Sequence, residues 1–114
     1  MANRVIPTDP FLKELAKLRK KYPSLDQDVV NLANKLTSNA ELGESLGTNL
    51  FKIRMSIKSK GKGKRGGARV ITYLINQQNE VYLISIYDKS EIDSVSKEVL
   101  KSIADQILRD RPKK

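Results

Sequence analysis

The chain has 114 residues, with 22 Lys and Arg against 13 Asp and Glu, so it carries a formal charge of +9 at neutral pH. It contains no Cys and no His, which excludes zinc fingers, a disulfide framework, a thiol nucleophile and an imidazole acid or base. No apolar run approaches the roughly 20 residues of a membrane span, and the first ten residues lack the apolar core of a signal peptide. We therefore expect one soluble, cytoplasmic domain over residues 1–114, with its core at about residues 9–108.

The first half of the chain predicts a short strand, at residues 4–8, followed by two helices. Asp9 and Pro10 have the pattern of a helix N-cap followed by proline in the first turn, and this helix is expected to end near residues 22–23. Ser24 and Gln27 match a capping box that begins a second helix, before a polar loop at residues 38–47. Apolar positions recur at helical spacing in both segments: Phe11, Leu15 and Leu18, then Leu25, Val29, Leu32 and Leu36. Two helices this close together predict a helical hairpin.

From Leu50 onwards the hydrophobic period changes to two, which predicts strands. Residues 50–58 alternate between apolar and polar side chains, and residues 69–75 and 81–87 form two β-branched and aromatic segments with a turn between them. These two segments are apolar on both faces, so both sides of the sheet should be covered. A last helix at about residues 93–108 provides the second cover through a stripe of Val95, Val99, Ile103 and Ile107. The predicted fold is α+β, with an N-terminal helical hairpin packed on an antiparallel sheet of three or four strands and a C-terminal helix over part of the other face.

The positive charge is concentrated in the middle of the chain. Residues 45–79 hold eight basic side chains and no carboxylate. The basic residues are Lys52, Arg54, Lys58, Lys60, Lys62, Lys64, Arg65 and Arg69. The first six are all even-numbered, so an extended segment would place them on one side as a cationic ribbon, opposite the core residues. A solvated strand face accounts for one lysine, but so many cations together are better suited to a polyanion such as nucleic acid.

The segment that carries these cations resembles a known toxin family. The runs LFKIRMSIKSKGKGKRGGARVITYLI and VYLISIYDKSE resemble the RelE/HigB group of toxins from bacterial toxin–antitoxin systems. The helices before and after the sheet occur in the order that this family uses, so the resemblance covers about residues 9–108. It implies a RelE-like fold and an mRNA endonuclease that cuts codons in the ribosomal A site, inhibits translation and is held inactive by a cognate antitoxin.

The resemblance also implies a basic catalytic set. Its members are Lys52 and Arg54 on the first strand of the basic segment, Arg69 after the glycine pair, and Lys89 just past the last strand. The family's base-stacking tyrosine, early in the last helix, corresponds to Val95 in this chain. Tyr87 lies nearby, at the end of a strand, and is the expected substitute.

The chemistry of RNA cleavage assigns roles to these residue types without a metal ion or cofactor. The 2′-hydroxyl of RNA attacks the adjacent phosphorus, which requires a base, stabilisation of the charge that develops on the phosphate, and an acid for the leaving oxygen. Arginine stays protonated and its planar fork fits phosphate, so Arg54 and Arg69 are expected to stabilise the transition state. A lysine crowded by other cations can serve as a base, and Lys52 and Lys58 are both candidates, with Lys89 as the acid.

The remaining cations are expected to bind RNA. They lie in a basic loop at residues 59–68, which is not a Walker A motif because the GK[ST] ending and a following helix are absent. The expected RNA-binding residues are Lys60, Lys62, Lys64 and Arg65, together with Tyr87. The carboxylates Asp88, Glu91 and Asp93 favour a turn and a helix cap over a metal site.

The expected partners are a ribosome with mRNA in its A site and an acidic antitoxin protein. Two alternative functions remain open. One is a toxin of the ParE kind, which inhibits gyrase and has no nuclease activity. The other is a non-catalytic RNA- or ribosome-binding module, because counterion release alone would favour the same basic surface.

Overall fold

The computed structural model of the chain describes residues 2–61, 63, 65–91 and 95–110. Its elements confirm the α+β class and the predicted order of helices and strands. They are β1 (Arg4–Pro7), α1 (Asp9–Arg19), α2 (Leu25–Ser38), β2 (Glu44–Gly47), β3 (Leu50–Met55), β4 (Ala68–Ile75), a 3-10 turn (Asn76–Gln78), β5 (Glu80–Asp88) and α3 (Lys97–Asp110). Within these residues no helix has the length and apolar character needed to cross a membrane.

The helical hairpin forms as predicted, although the caps of its two helices differ from the predicted ones. The side chain of Thr8, rather than that of Asp9, caps α1 by accepting a hydrogen bond from the backbone N–H of Phe11. The predicted capping box of α2 is wrong, because the Ser24 hydroxyl makes no cap bond. It bonds to the Asp28 carboxylate and the Ser59 hydroxyl instead, which fixes the start of α2 to the segment that follows β3.

The sheet has five strands in the order β1-β5-β4-β3-β2, one more than the predicted maximum. It is mixed rather than purely antiparallel, because β1 pairs in parallel with β5. The additional strand is β2, which forms in the segment predicted as a polar loop and pairs with the first residues of β3. Both outer strands are only four residues long, and such short, mostly exposed edge strands carry little hydrophobic pattern in the sequence.

Both faces of the sheet are covered, as the two-sided apolar strands predicted. One face packs on α1 and α2, with Phe11, Leu25 and Leu36 almost fully buried. The other face packs on α3 through Leu100 and Ala104. The predicted stripe of α3 is wrong at Val99, which is exposed. The helix begins at Lys97, later than the expected start at Asp93, and Asp93 itself lies outside the described residues.

A β-bulge in β5 changes which side chains face α3. The β4–β5 register shifts at Ile71 and Thr72, which pair with Ser85 and Leu83, so Ile84 is the additional residue. Before and after the bulge, Leu83 and Ile86 both face the α1–α2 core, whereas Ile84 and Tyr87 face the α3 core. Without the bulge, strict alternation would place Tyr87 on the same face as Leu83.

The carboxylate of Glu14 in α1 accepts hydrogen bonds at this bulge, from the Ser85 hydroxyl at 3.1 Å and the Ile86 N–H at 3.3 Å. Burial raises the pKa of this carboxyl, while the hydrogen bonds from Ile86 and Ser85 act in the opposite direction. Glu14 thus joins α1 to the irregular part of β5 by accepting from one backbone N–H and one side-chain hydroxyl of that strand.

Candidate functional site

A row of candidate functional side chains crosses three adjacent strands on the α3 face of the sheet. Arg54 on β3 pairs with Arg69 on β4, and Arg69 pairs with Tyr87 on β5. Directly opposed residues on neighbouring antiparallel strands share a face, with about 4.5–5.5 Å between their Cβ atoms. Lys52 lies on the same face of β3, two residues before Arg54, and is paired with Ile71. The structure thus brings together four of the residues singled out from the sequence.

These residues differ greatly in their access to solvent. Arg54 is exposed and Lys52 is partly exposed. In contrast, Arg69 and Tyr87 are only 6% and 2% exposed. An exposed arginine such as Arg54 can contact a phosphate directly, whereas Arg69 and Tyr87 are largely covered by other parts of the chain.

A cavity of about 350 Å³ lies between this face and the start of α3. Lys52, Ile71 and Tyr87 line it from the sheet, while Val95 and Lys97 line it from the α3 side. Val95 therefore lines the same cavity as Tyr87. Sequence reasoning did not single out Lys97, because the predicted helix start at residue 93 placed it inside the helix rather than at its first turn.

The guanidinium of Arg69 is held in place by backbone carbonyls. It donates to Ala68 O at 3.2 Å and to Arg65 O at 3.3 Å. Burial raises the pKa of the neighbouring Tyr87, and the positive charge of Arg69 opposes this effect. Tyr87 is therefore a neutral phenol at physiological pH, and its burial leaves little of its ring open to a ligand.

The predicted cationic ribbon does not continue past β3. The strand ends at Met55, and the chain turns at Ile57, whose carbonyl accepts hydrogen bonds from the N–H groups of Lys60 and Gly61. Lys58 is exposed, and its backbone N–H donates to the Asp28 carboxylate of α2. Lys58 and Lys60 thus lie beside the α1–α2 hairpin, away from the row on the sheet. The prediction of one extended ribbon is wrong because the strand is only six residues long.

The basic loop returns to the sheet at Gly67. A Cβ atom at this position would lie 2.2 Å from the Met55 carbonyl oxygen, so only glycine allows the close approach. Arg65, just before this point, is exposed. Lys62 and Lys64, also predicted to bind RNA, lie outside the described residues.

Lys89 lies at the same end of the sheet as the row. It is partly buried, and its backbone N–H donates to the Gly67 carbonyl at 3.1 Å, which joins the end of β5 to the end of the basic loop. Because Asp88 pairs with Ala68 in the ladder, Lys89 follows directly after the last paired residue of β5. This position is one residue beyond Asp88 and two beyond Tyr87 of the row.

Asp88 is the centre of a buried hydrogen-bond cluster formed by Tyr22, Lys60, Asp88 and Ser90, which we call the Asp88 cluster. The Asp88 side chain is fully buried and accepts from Lys60 Nζ at 2.7 Å, from the Tyr22 hydroxyl, and from the N–H and hydroxyl of Ser90. Burial disfavours its charged form, but the hydrogen bonds from Lys60, Tyr22 and Ser90 outweigh burial and hold the pKa of Asp88 well below its usual range. Sequence reasoning placed Lys60 with the RNA-binding residues and did not detect this pairing.

Glu91, the described carboxylate that follows Asp88 most closely in the chain, pairs elsewhere. Glu91 forms an ion pair with Lys21, in which both side chains are about half exposed. Within residues 2–61, 63, 65–91 and 95–110, no group of three or more carboxylates is placed to hold a metal ion.

Comparison with known proteins supports the fold. No family model matches the chain. A double mutant of the E. coli toxin RelE in the free state is 18% identical, with a TM-score of 0.62 over 94% of this chain and 99% of that one. The toxin–antitoxin complex RelBE2 from Mycobacterium tuberculosis contains a chain that is 17% identical, with a TM-score of 0.56 over 77% of this chain and 92% of that one. The chain therefore has a RelE-like fold.

Proposed function

We propose that the protein is the toxin of a type II toxin–antitoxin system and that it cleaves mRNA on the ribosome. The observation that carries the proposal is the row of Arg54, Arg69 and Tyr87 beside the cavity lined by Lys52. The RelE-like fold supports it, because similar structures are a RelE toxin and a toxin–antitoxin complex. Lys52, Arg54 and Arg69 place positive charge on one face of the sheet, where it can stabilise the negative charge that develops on a phosphate during cleavage.

The row and its neighbours can divide the chemistry among them. Arg54, which is exposed, and Arg69, which is fixed by two carbonyls, stabilise the negative charge that develops on the scissile phosphate. Lys52 is the base in this proposal, because it lines the cavity with Tyr87, whereas Lys58 lies beside α2. Lys89, at the end of β5, is the acid for the leaving oxygen, and Tyr87 contacts the RNA where its side chain lines the cavity.

The direct test is to map mRNA 5′ ends in cells after induction of the protein. We expect new ends within translated codons, and none in a matched transcript that lacks a start codon. Growth arrest with blocked DNA replication and no new ends would favour the gyrase-inhibiting alternative. Arrest of translation without new ends would favour the non-catalytic RNA-binding module.

An acidic antitoxin is the expected partner. A protein of charge +9 with its cations concentrated in one segment is neutralised most effectively by a chain that presents carboxylates to that segment. Co-expression with the product of the adjacent gene, tagged alone, should recover both chains and restore growth, and the association rate should fall steeply as salt rises. Recovery of the tagged partner alone, with undiminished toxicity, would contradict this part of the proposal.

Arg65 is proposed as a phosphate contact, because it is exposed at the end of the basic loop. Arg65→Ala should therefore flatten the salt dependence of binding to mRNA-programmed ribosomes by about 0.7 to 0.9 log units per log unit of salt. Lys13→Ala is the matched control, since Lys13 is exposed on α1, on the opposite face of the sheet. Equal slopes for both variants and the wild type would show that Arg65 does not contact RNA.

A further inference from the structure

We infer that Lys60 acts through the Asp88 cluster as a positioning residue, holding the basic loop against the end of β5 so that Arg65, Arg69 and Lys89 are correctly placed. The inference rests on the proposed nuclease function and assigns to Lys60 a role other than phosphate binding. The side chain of Lys60 points into the protein rather than into solvent. The Lys60 side chain is only 11% exposed, although it lies in a strongly basic, largely exposed segment.

The ammonium group of Lys60 is enclosed by groups of this chain. It donates to the Asp88 carboxylate at 2.7 Å and to the Ser90 hydroxyl at 3.1 Å, and it lies 5.5 Å from the centre of the Tyr22 ring. A cation that lies over an aromatic ring and donates to a carboxylate is held in that position by both interactions. Two of its three N–H donors are therefore already used, and its charge is largely compensated before any RNA arrives.

The cluster ties together parts of the chain that are far apart in sequence. Tyr22 follows α1, Lys60 belongs to the loop after β3, and Asp88 ends β5. The start of the same loop is also attached to the helical hairpin, because the N–H of Ser59 donates to the Ser24 hydroxyl at 2.8 Å. The loop is thus anchored to the hairpin and to β5 before it reaches Arg65.

A short chain of contacts leads from the cluster to the candidate catalytic residues. Asp88 pairs with Ala68, and the next residue, Lys89, donates its N–H to Gly67 O. The carbonyl of Arg65 in turn accepts from the Arg69 guanidinium. Movement of the Asp88 end of β5 would therefore displace Lys89 and the loop end together. A misplacement of about 1 Å at a reacting centre can reduce the rate about 100-fold.

The test compares Lys60→Met with Lys21→Met in single-turnover cleavage of ribosome-bound mRNA. Lys21 is the matched control, because it also pairs with a carboxylate and lies 5.9 Å from the centre of the same Tyr22 ring, but in an exposed ion pair. Lys60→Met should lower the maximal rate about 100-fold while leaving the half-saturating concentration and the salt slope of binding unchanged. Lys60→Arg should restore much of the rate, since it can still pair with Asp88. Lys21→Met should behave as the wild type.

Two further measurements keep the inference testable if Lys60→Met folds poorly. Tyr22→Phe removes only the hydroxyl that donates to Asp88, and it should lower the maximal rate in the same way but less. Amide hydrogen exchange at Gly61 and Lys89 should accelerate in both variants, because their N–H groups bond to the turn at Ile57 and to Gly67. This readout does not depend on nuclease activity.

The possible outcomes separate this inference from the proposed function. A Lys60→Met variant with an unchanged maximal rate and a flattened salt slope would show that Lys60 contacts phosphate, and the inference would be wrong. Unchanged hydrogen exchange would also overturn it. A wild-type protein that cleaves no RNA would refute the proposed function, while faster exchange in the same variants would still support the anchoring of the loop.

Discussion

Arg69→Ala is expected to reduce the maximal rate of mRNA cleavage by a few hundredfold and to abolish growth arrest. Removing one preformed donor to a charge that develops in the transition state typically costs about 2.7 to 4 kcal/mol. Arg69 is suited to this role because two backbone carbonyls fix its guanidinium beside Arg54 and Tyr87. Single-turnover kinetics on programmed ribosomes, with thermal unfolding to verify the fold, would measure the effect.

Two companion variants sharpen this prediction. Arg69→Lys keeps the charge but loses the planar fork, so it should recover only part of the rate. Arg4→Ala should retain the full rate, because Arg4 is an exposed arginine paired with Glu80 at the opposite end of β5. If Arg69→Ala and Arg54→Ala are both folded and fully toxic, the assignment of catalytic residues is wrong.

The sequence predicted the row on the sheet only in part. Alternation along β3 was enough to place Lys52 and Arg54 opposite the buried face of Phe51, Ile53 and Met55, because a strand has a period of two. The position of Tyr87 could not be predicted in this way. Strict alternation assigns it to the face of Leu83, and only the bulge at Ile84 turns it towards Arg69.

The basic loop illustrates a different limit of sequence reasoning. The even spacing of its lysines predicted one ribbon, but spacing decides the direction of side chains only while the chain stays extended. The chain is no longer extended after the turn at Ile57, so the even spacing does not place the later lysines on one side. The burial of Lys60 then depends on Asp88, which is 28 positions away, and on Tyr22, which precedes both. A local charge pattern contains no information about such a pair.

The edge strands were also difficult to predict, because they too depend on contacts with distant parts of the chain. The residues of β2 are mostly exposed and polar, and they form a strand because β3 offers an edge for pairing. The strand β1 was predicted, but its parallel pairing with β5 depends on contacts across more than 70 residues of sequence. Helices and central strands show a hydrophobic pattern in their own sequence, whereas an edge strand forms because a neighbouring strand offers it a partner.

The Asp88 cluster is expected to make the stability of the protein depend strongly on pH in acid. Asp88→Asn should lower the free energy of unfolding at pH 7 by about 3 to 5 kcal/mol, because it removes one partner of a buried ion pair. The pKa of Asp88 in the folded protein lies below its ordinary value of 3.8, so the folded state binds fewer protons than the unfolded chain in acid. The stabilisation is therefore complete above about pH 5 and is lost as the pH falls further.

Denaturant unfolding of both proteins between pH 7 and pH 2 would measure this effect. The difference between wild type and Asp88→Asn should be constant from pH 7 to about pH 5. It should shrink below that, since the unfolded chain binds a proton on Asp88 that the folded protein does not bind. Asp26→Asn is the control, because Asp26 pairs with Arg19 on the surface and should contribute less than about 1 kcal/mol at any pH. A difference that stays constant down to pH 2 would contradict the prediction, because it would mean that the pKa of Asp88 is the same in the folded and the unfolded protein. A difference that grows as the pH falls would mean that the pKa of Asp88 is raised on folding, so that burial outweighs the hydrogen bonds from Lys60 and Tyr22.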